Sequence, residues 1–209
     1  MTKTLSQLYR DYPAAHAAAR ELEAAGVKSG DISIVANNVE RWDTNDKFKH
    51  VDAKHDKDHD GVDDRTEGAS VGAGIGGAAA GAAGLAAGLG AIAIPGIGPI
   101  VAAGWLASTL AGAVAGGVAG GVIGALVESG VSRENADVYA EALRRGGALV
   151  VARVPDENVP RCQGILSRSS IDVTRRAAAY RSAGWTAFNP GETPYTLDQI
   201  RKDRDLYHP

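Results

Sequence analysis

Residues 68–127 contain no Asp, Glu, Lys, Arg or His, yet they hold eighteen of the chain's 27 glycines. No other feature limits the possible folds so tightly. Gly112, Gly116, Gly120 and Gly124 recur every four residues, with Gly117 and Gly121 as a second row beside them. The first half carries Gly68, Gly72 and Gly76, then Gly77 and Gly81, then Gly84 and Gly88. Residues i and i+4 stack on one helix face, so each row is a groove without side chains into which a second helix settles closely. Ile94-Pro95-Gly96-Ile97-Gly98-Pro99 interrupts the pattern. Pro95 and Pro99 lack amide donors and disfavour a helical residue before them. The sequence therefore predicts a glycine-zipper helical hairpin over 68–127, with Pro95, Gly96, Gly98 and Pro99 at its turn.

Glycine makes such a hairpin a poor fold in isolation, because each interior Gly costs a helix about 1 kcal/mol relative to Ala. It needs surroundings that penalise unpaired backbone, and a bilayer does so most strongly. At about 1.5 Å per residue either half outspans the roughly 30 Å hydrocarbon core. Val114, Val118, Val122, Ile123 and Leu126 make the second half apolar. The first half is mostly Ala and Gly with Val71, Ile75, Leu85 and Leu89, at the lower edge of what inserts. The dry centre of a soluble oligomer is the other suitable environment. The expectation is a self-associating chain with its hairpin in lipid at the inner membrane and both soluble segments cytoplasmic. The alternative is a cytoplasmic soluble homo-oligomer. Met1–Tyr12 has no apolar core of the kind a signal peptide needs, and two spans return a chain to the side it left.

A net charge of −3 and a pI near 5.9 supply no field for a polyanion, so nucleic acid is not an expected partner. The single Cys162 forms no internal disulfide and fits a buried core thiol.

Either side of the glycine stretch, the patterns are those of a small α/β domain. Thr4–Tyr9 reads as a strand, Asp11 as an N-cap with Pro13 in the first turn, and Ala14–Ala25 as a helix stopped by Gly26. Ile32, Ile34 and Val35 supply a second strand. His16, among alanines, fits a surface or packing position. Beyond the stretch, Ser132 caps a helix through Arg145, with Ala136, Tyr139, Ala140 and Leu143 on its apolar face and Gly146-Gly147 at its end. Ala148–Val154 is the clearest strand. Asp156 opens a helix with Val159, Cys162, Ile165 and Leu166 inward, and Ile171–Thr174 reads as a last strand. Two β-α-β halves of this kind close into a four-stranded antiparallel sheet with helices on one face. The expected class is thus α+β, a ferredoxin-like (split βαβ) domain interrupted by the hairpin. Its segments are 1–39 (first half), 40–67 (acidic loop), 68–127 (hairpin), 128–176 (helix plus second half) and 177–209 (irregular tail). In the tail, Trp185 and Tyr195 suit either anchorage to a core or a membrane interface.

One segment carries possible chemistry. Asp56-Lys57-Asp58-His59-Asp60-Gly61, followed by Glu67, fits the D-x-[DN]-x-[DN]-G-x5-E calcium-loop pattern. Asp56, Asp58 and Asp60 alternate so that their carboxylates converge, Gly61 permits the turn, and the Val62 carbonyl faces the ion. Asp64 acts directly or through water, and Glu67 closes bidentately. Against an ordinary EF-hand, position eight is Asp63 instead of an apolar residue, and Trp42–His55 lacks an apolar helical face. A solvated acidic collar, and a transition-metal pair of His55 and His59, are the competing readings. Calcium is the one cofactor suggested. Gly72-Ala73-Gly74-Ile75-Gly76-Gly77 matches G-x-G-x-x-G, but no strand precedes it and no acidic residue follows at the required distance. P-loop, G-x-S-x-G and H-E-x-x-H patterns are lacking, so the sequence offers no small-molecule substrate and no support for an enzyme.

Several stretches together resemble a family: Asp31–Asn37, Asp60–Arg65, Ile94–Gly104, Asp137–Glu141 and Arg145–Val150. They are similar to the bacterial general-stress or heat-induced stress proteins with a YflT-like domain, in their glycine-zipper form. The resemblance covers most of residues 1–188 and is most specific at the proline-glycine turn. It implies stress association and a small α/β domain split by the hairpin, and brings no catalytic residues. The expected function is a non-enzymatic, stress-associated assembly protein. A calcium-responsive module, or a soluble glycine-zipper scaffold, is the alternative.

Overall fold

The computed structural model describes residues 1–41, 90–115 and 121–207. Strand β1 (Thr2–Tyr9) leads into helix α1 (Tyr12–Ala24) through Asp11, whose carboxylate accepts from Ala14 N at 3.0 Å, with Pro13 in the first turn. The cap satisfies an amide that a helix start leaves without a partner. A 3-10 turn (Ser29–Asp31) then enters β2 (Ile32–Asn37). After the undescribed stretch come β3 (Gly90–Ile94), β4 (Gly98–Ala103), α2 (Trp105–Ala115) and α3 (Gly121–Glu128). Next are α4 (Arg133–Arg144), capped by Ser132, and β5 (Ala148–Pro155). The chain ends with α5 (Val159–Ser167), α6 (Val173–Ser182) and α7 (Leu197–Tyr207).

These elements make a mixed α/β fold around one five-stranded antiparallel sheet, ordered β1-β5-β2-β4-β3. Since β1 and β2 both run antiparallel to β5, they are parallel to each other with β5 between them. The period-2 alternation of strands sends side chains to opposite faces. Ile32, Ile34, Ala36, Val150, Ala152 and Val154 face α1 and α5, where Leu22, Cys162 and Leu166 cover them. Val35, Ile100, Ala102, Leu149 and Val151 face the other way, toward α2, α3, α4 and α6. Helices therefore lie on both faces of the sheet, where the sequence predicted one. The second layer comes from α2 and α3, whose Leu106, Leu110, Val122, Ile123 and Leu126 complete the core.

The predicted helical hairpin is corrected over 90–103. The turn is present, with Ile97 N bonded to Ile94 O at 3.1 Å and Gly96 at φ +77°, but it joins two strands in register from Gly90↔Ala102 to Ile94↔Gly98. A left-handed φ at the third position of a Pro-Gly turn is the type II pattern, which glycine adopts without strain. Glycines weaken any helix here, whereas the β-branched Ile92, Ile94, Ile100 and Val101 suit a pleated ribbon, and β2 offers β4 an edge to pair with.

The end of the chain also departs from expectation. Ile171 forms only an isolated antiparallel bridge to Leu8, because Asp172 at once caps α6 by accepting from Arg175 N at 2.8 Å. The tail is largely helical. Thr196 N donates to Gln199 Oε1 at 2.8 Å while Gln199 N approaches Thr196 Oγ1 at 3.4 Å, the reciprocal pairing of a capping box that starts α7.

Candidate functional site

The residues predicted to hold calcium (Asp56, Asp58, Asp60, Val62, Asp64 and Glu67) lie outside the described residues, as do Gly68, Gly72, Gly76, Gly81, Gly84, Gly88, Gly116 and Gly120. Of the predicted packing row, Gly112 and Gly124 are described. Both are exposed, and a Cβ built on either would meet nothing within 4 Å. They occupy the outer face of α2 and α3, the opposite face being sunk in the chain's own core. Ser108, one turn before Gly112, and Val127, three residues after Gly124, are exposed beside them. Neither glycine serves a close approach to another of the described residues.

The turn glycines do serve one. Asn189 O and Pro190 pass over Gly96 so closely that an added Cβ would stand 2.8 Å from Pro190 Cα, and Pro194 Cβ lies 3.0 Å from the corresponding point on Gly98. Pro95 and Pro99, the other predicted turn residues, are exposed. The tail crosses this end of the sheet and continues over α4. At Gly146, which has φ +89°, a Cβ would fall 2.3 Å from Ile200 Cγ2, and Ile200 is fully buried there. Trp185 and Phe188 pack in the main core, with Trp185 edge-on to Tyr180 at 5.9 Å. Thus the aromatic tail residues anchor the tail to the chain's own core.

Charge completes the attachment. Glu141, 1% exposed, accepts from Arg145 Nε at 2.6 Å, and its other oxygen lies 3.4 Å from Arg144 Nε without hydrogen-bond geometry. From the tail, Glu192 pairs with Arg144, and Asp203 accepts from Arg145 Nη1 at 2.6 Å. Arg204 meets Glu40 through both nitrogens, at 3.1 and 2.7 Å. The guanidinium of Arg145 stacks 4.3 Å over Tyr180 and 5.3 Å over Tyr195, with Arg144 4.7 Å over Tyr195. Burial pushes the Asp203 carboxyl up, and this outweighs the pull of Arg145, Arg176 and Arg144 in the other direction. Sequence reading missed this cluster. Its one local signal is the Arg144-Arg145 pair closing an amphipathic helix, which reads as ordinary complement to the helix dipole.

A small cavity of about 10 Å³ lies beneath Asp203, and a wider groove of about 430 Å³ runs between α1 and α5 past Glu21, Ala25, Arg161 and Arg168. Arg168 and Glu21 bridge that groove at 2.8 Å. Cys162 is buried as expected, and burial raises its thiol against the opposing charge of Arg161. His16 packs against Tyr12, ring centres 5.6 Å apart. Among the described residues no group of three or more His, Cys, Asp or Glu is placed to hold a metal, and no helix is long and apolar enough to cross a membrane. No protein-family model, curated protein or solved structure matches this chain.

Proposed function

We propose that the protein is a non-enzymatic assembly protein that associates with copies of itself through the glycine-bearing outer face of α2 and α3. One observation carries this reading: Gly112 and Gly124 stand on an open helix surface with nothing near their missing side chains. Glycine in a helix costs about 1 kcal/mol relative to Ala and is repaid where another backbone comes close. Among the described residues nothing does, and a second molecule is the occupant that this reading assigns. The contact is of the small-residue kind, with dispersion gained along a groove.

Burial of Leu106, Leu110, Val122, Ile123 and Leu126 against the chain's own sheet takes the main apolar side chains of α2 and α3 away from lipid. This supports the soluble homo-oligomer over a hairpin spanning the inner membrane. The order Ile171-β1-β5-β2 supports a split-βαβ, ferredoxin-like core, to which β3 and β4 are added at the edge. The stress-associated role rests on the family resemblance, and a calcium-responsive loop on the sequence pattern over 56–67.

Sedimentation velocity tests the assembly reading. Gly112→Leu/Gly124→Leu fills the groove without touching the core, so the oligomer boundary should shift to the monomer position. A double variant that stays folded and sediments like the parent chain rules the reading out.

A further inference from the structure

The small cavity under the tail has a charge composition that tail anchorage does not call for. Arg10 from the end of β1, Arg145 from α4, Arg176 from α6 and Arg204 from α7 all reach its wall, and among the described residues the one carboxylate lining it is Asp203. Arg10 is held by Asp11 at 3.0 Å and Arg204 by Glu40. Arg145 and Arg176 share the ring of Tyr180, at 4.3 and 5.7 Å from its centre, which gathers their guanidiniums at one aromatic face. Arg144 adjoins them behind Glu192. Planar guanidiniums from separate elements, held by stacking, are the arrangement that recognises tetrahedral oxyanions in two-pronged fashion.

The carboxylates that meet these arginines are of two origins. Glu141 on α4 and Asp11 at the start of α1 belong to the body of the chain, whereas Glu192 and Asp203 arrive with the tail. Lifting the tail takes away Glu192, Asp203 and Arg204 and leaves Arg10, Arg144, Arg145 and Arg176 facing Glu141 and Asp11, an excess of two positive charges among these described residues that one dianion matches. We propose that Arg10, Arg144, Arg145 and Arg176 form a binding site for a dianionic oxyanion of the phosphate-monoester class, which the Glu192 and Asp203 carboxylates occupy from within the same chain. The cavity, at about 10 Å³, has room for about one water. An external dianion therefore enters only as α7 leaves, and the two occupants compete. Competition has a consequence for the neighbouring segment. Arg204 grips Glu40 near the start of the stretch that leads to the acidic loop, so release of α7 also frees the Glu40 side chain, while Asn38 N stays bonded to Pro99 O.

Inorganic phosphate is the probe, applied to the full-length chain. Arg201 and Lys202 lie exposed on α7 and report its undocking to trypsin. Phosphate is expected to speed cleavage there several-fold over sodium chloride of equal ionic strength, and Arg176→Gln is expected to abolish the difference. Equal cleavage of the parent chain in the two salts overturns the proposal, and so does a difference that Arg176→Gln leaves intact. Calorimetry on Asp203→Asn supplies a second arm. Losing the internal carboxylate raises the fraction of chains whose site is open, so phosphate should bind about tenfold tighter than to the parent. A folded Asp203→Asn variant that binds no tighter overturns the proposal as well. Should that variant fail to fold, the cleavage comparison decides alone.

Discussion

Replacing Gly112 and Gly124 together by Ala should have opposite effects on folding and on assembly. A Cβ at either position enters open space, so no clash opposes the gain in helix propensity. Each substitution is worth up to about 1 kcal/mol, giving about 1.5–2 kcal/mol in all. For a chain of this length that corresponds to a rise in Tm of roughly 3–8 °C. The new methyls also stand in the seam through which copies are proposed to meet, and association stabilises a folded chain by mass action. Thermal unfolding at two protein concentrations separates the terms. At the lower concentration the variant should melt above the parent chain. Raising the concentration should lift the parent's Tm while leaving the variant's nearly fixed. If the variant exceeds the parent by the same margin at both concentrations, with the parent's Tm also rising, the glycine face is not the seam. If the variant melts lower when dilute, the face is not open and the argument fails at its first step.

Three further outcomes follow from the tail and the core. Gly146→Ala combines a left-handed φ with the Ile200 contact, costing about 1–2 kcal/mol in strain and about 1–3 kcal/mol in overpacking; urea unfolding should show that Ile200→Ala recovers the second part, and strict additivity of the two substitutions would contradict it. Glu141→Ala removes the carboxylate that Arg144 and Arg145 share, leaving them Glu192 and Asp203, and should cost about 1.5–3 kcal/mol, read from the denaturant midpoint; a loss below 1 kcal/mol is the contrary result. Burial raises the Tyr9 and Tyr180 phenols far above their ordinary value, with Glu21 adding to the rise at Tyr9. Their contribution is intact below the unfolded pKa of about 10 and fades as pH climbs past it, so the urea midpoint should fall as pH rises from about 10 to about 11, less steeply in Tyr9→Phe; equal slopes would contradict this.

Local chemistry was legible from the residues alone. Asp11 and Ser132 cap α1 and α4 because an oxygen one residue before a helix meets its free amides, a relation confined to four consecutive positions. Strands β1, β2 and β5 announced themselves through apolar runs, and Cys162 through its place on the inner face of α5. The capping box at Thr196 and Gln199 and the cap at Asp172 were equally local and would have marked α7 and α6.

Tertiary structure decided the rest, since it depends on which surfaces meet. A run of Gly, Ala and Ile around Pro95 is compatible with helices or strands, and pairing with β2 selects strands. The four-residue glycine spacing placed Gly112 and Gly124 on one helix face, but not on the face turned from the core. The arginine cluster could not be read at all. Residues 144, 176, 192 and 203 lie far apart in the chain, and their charges matter only once folding removes them from water and sets them against one another.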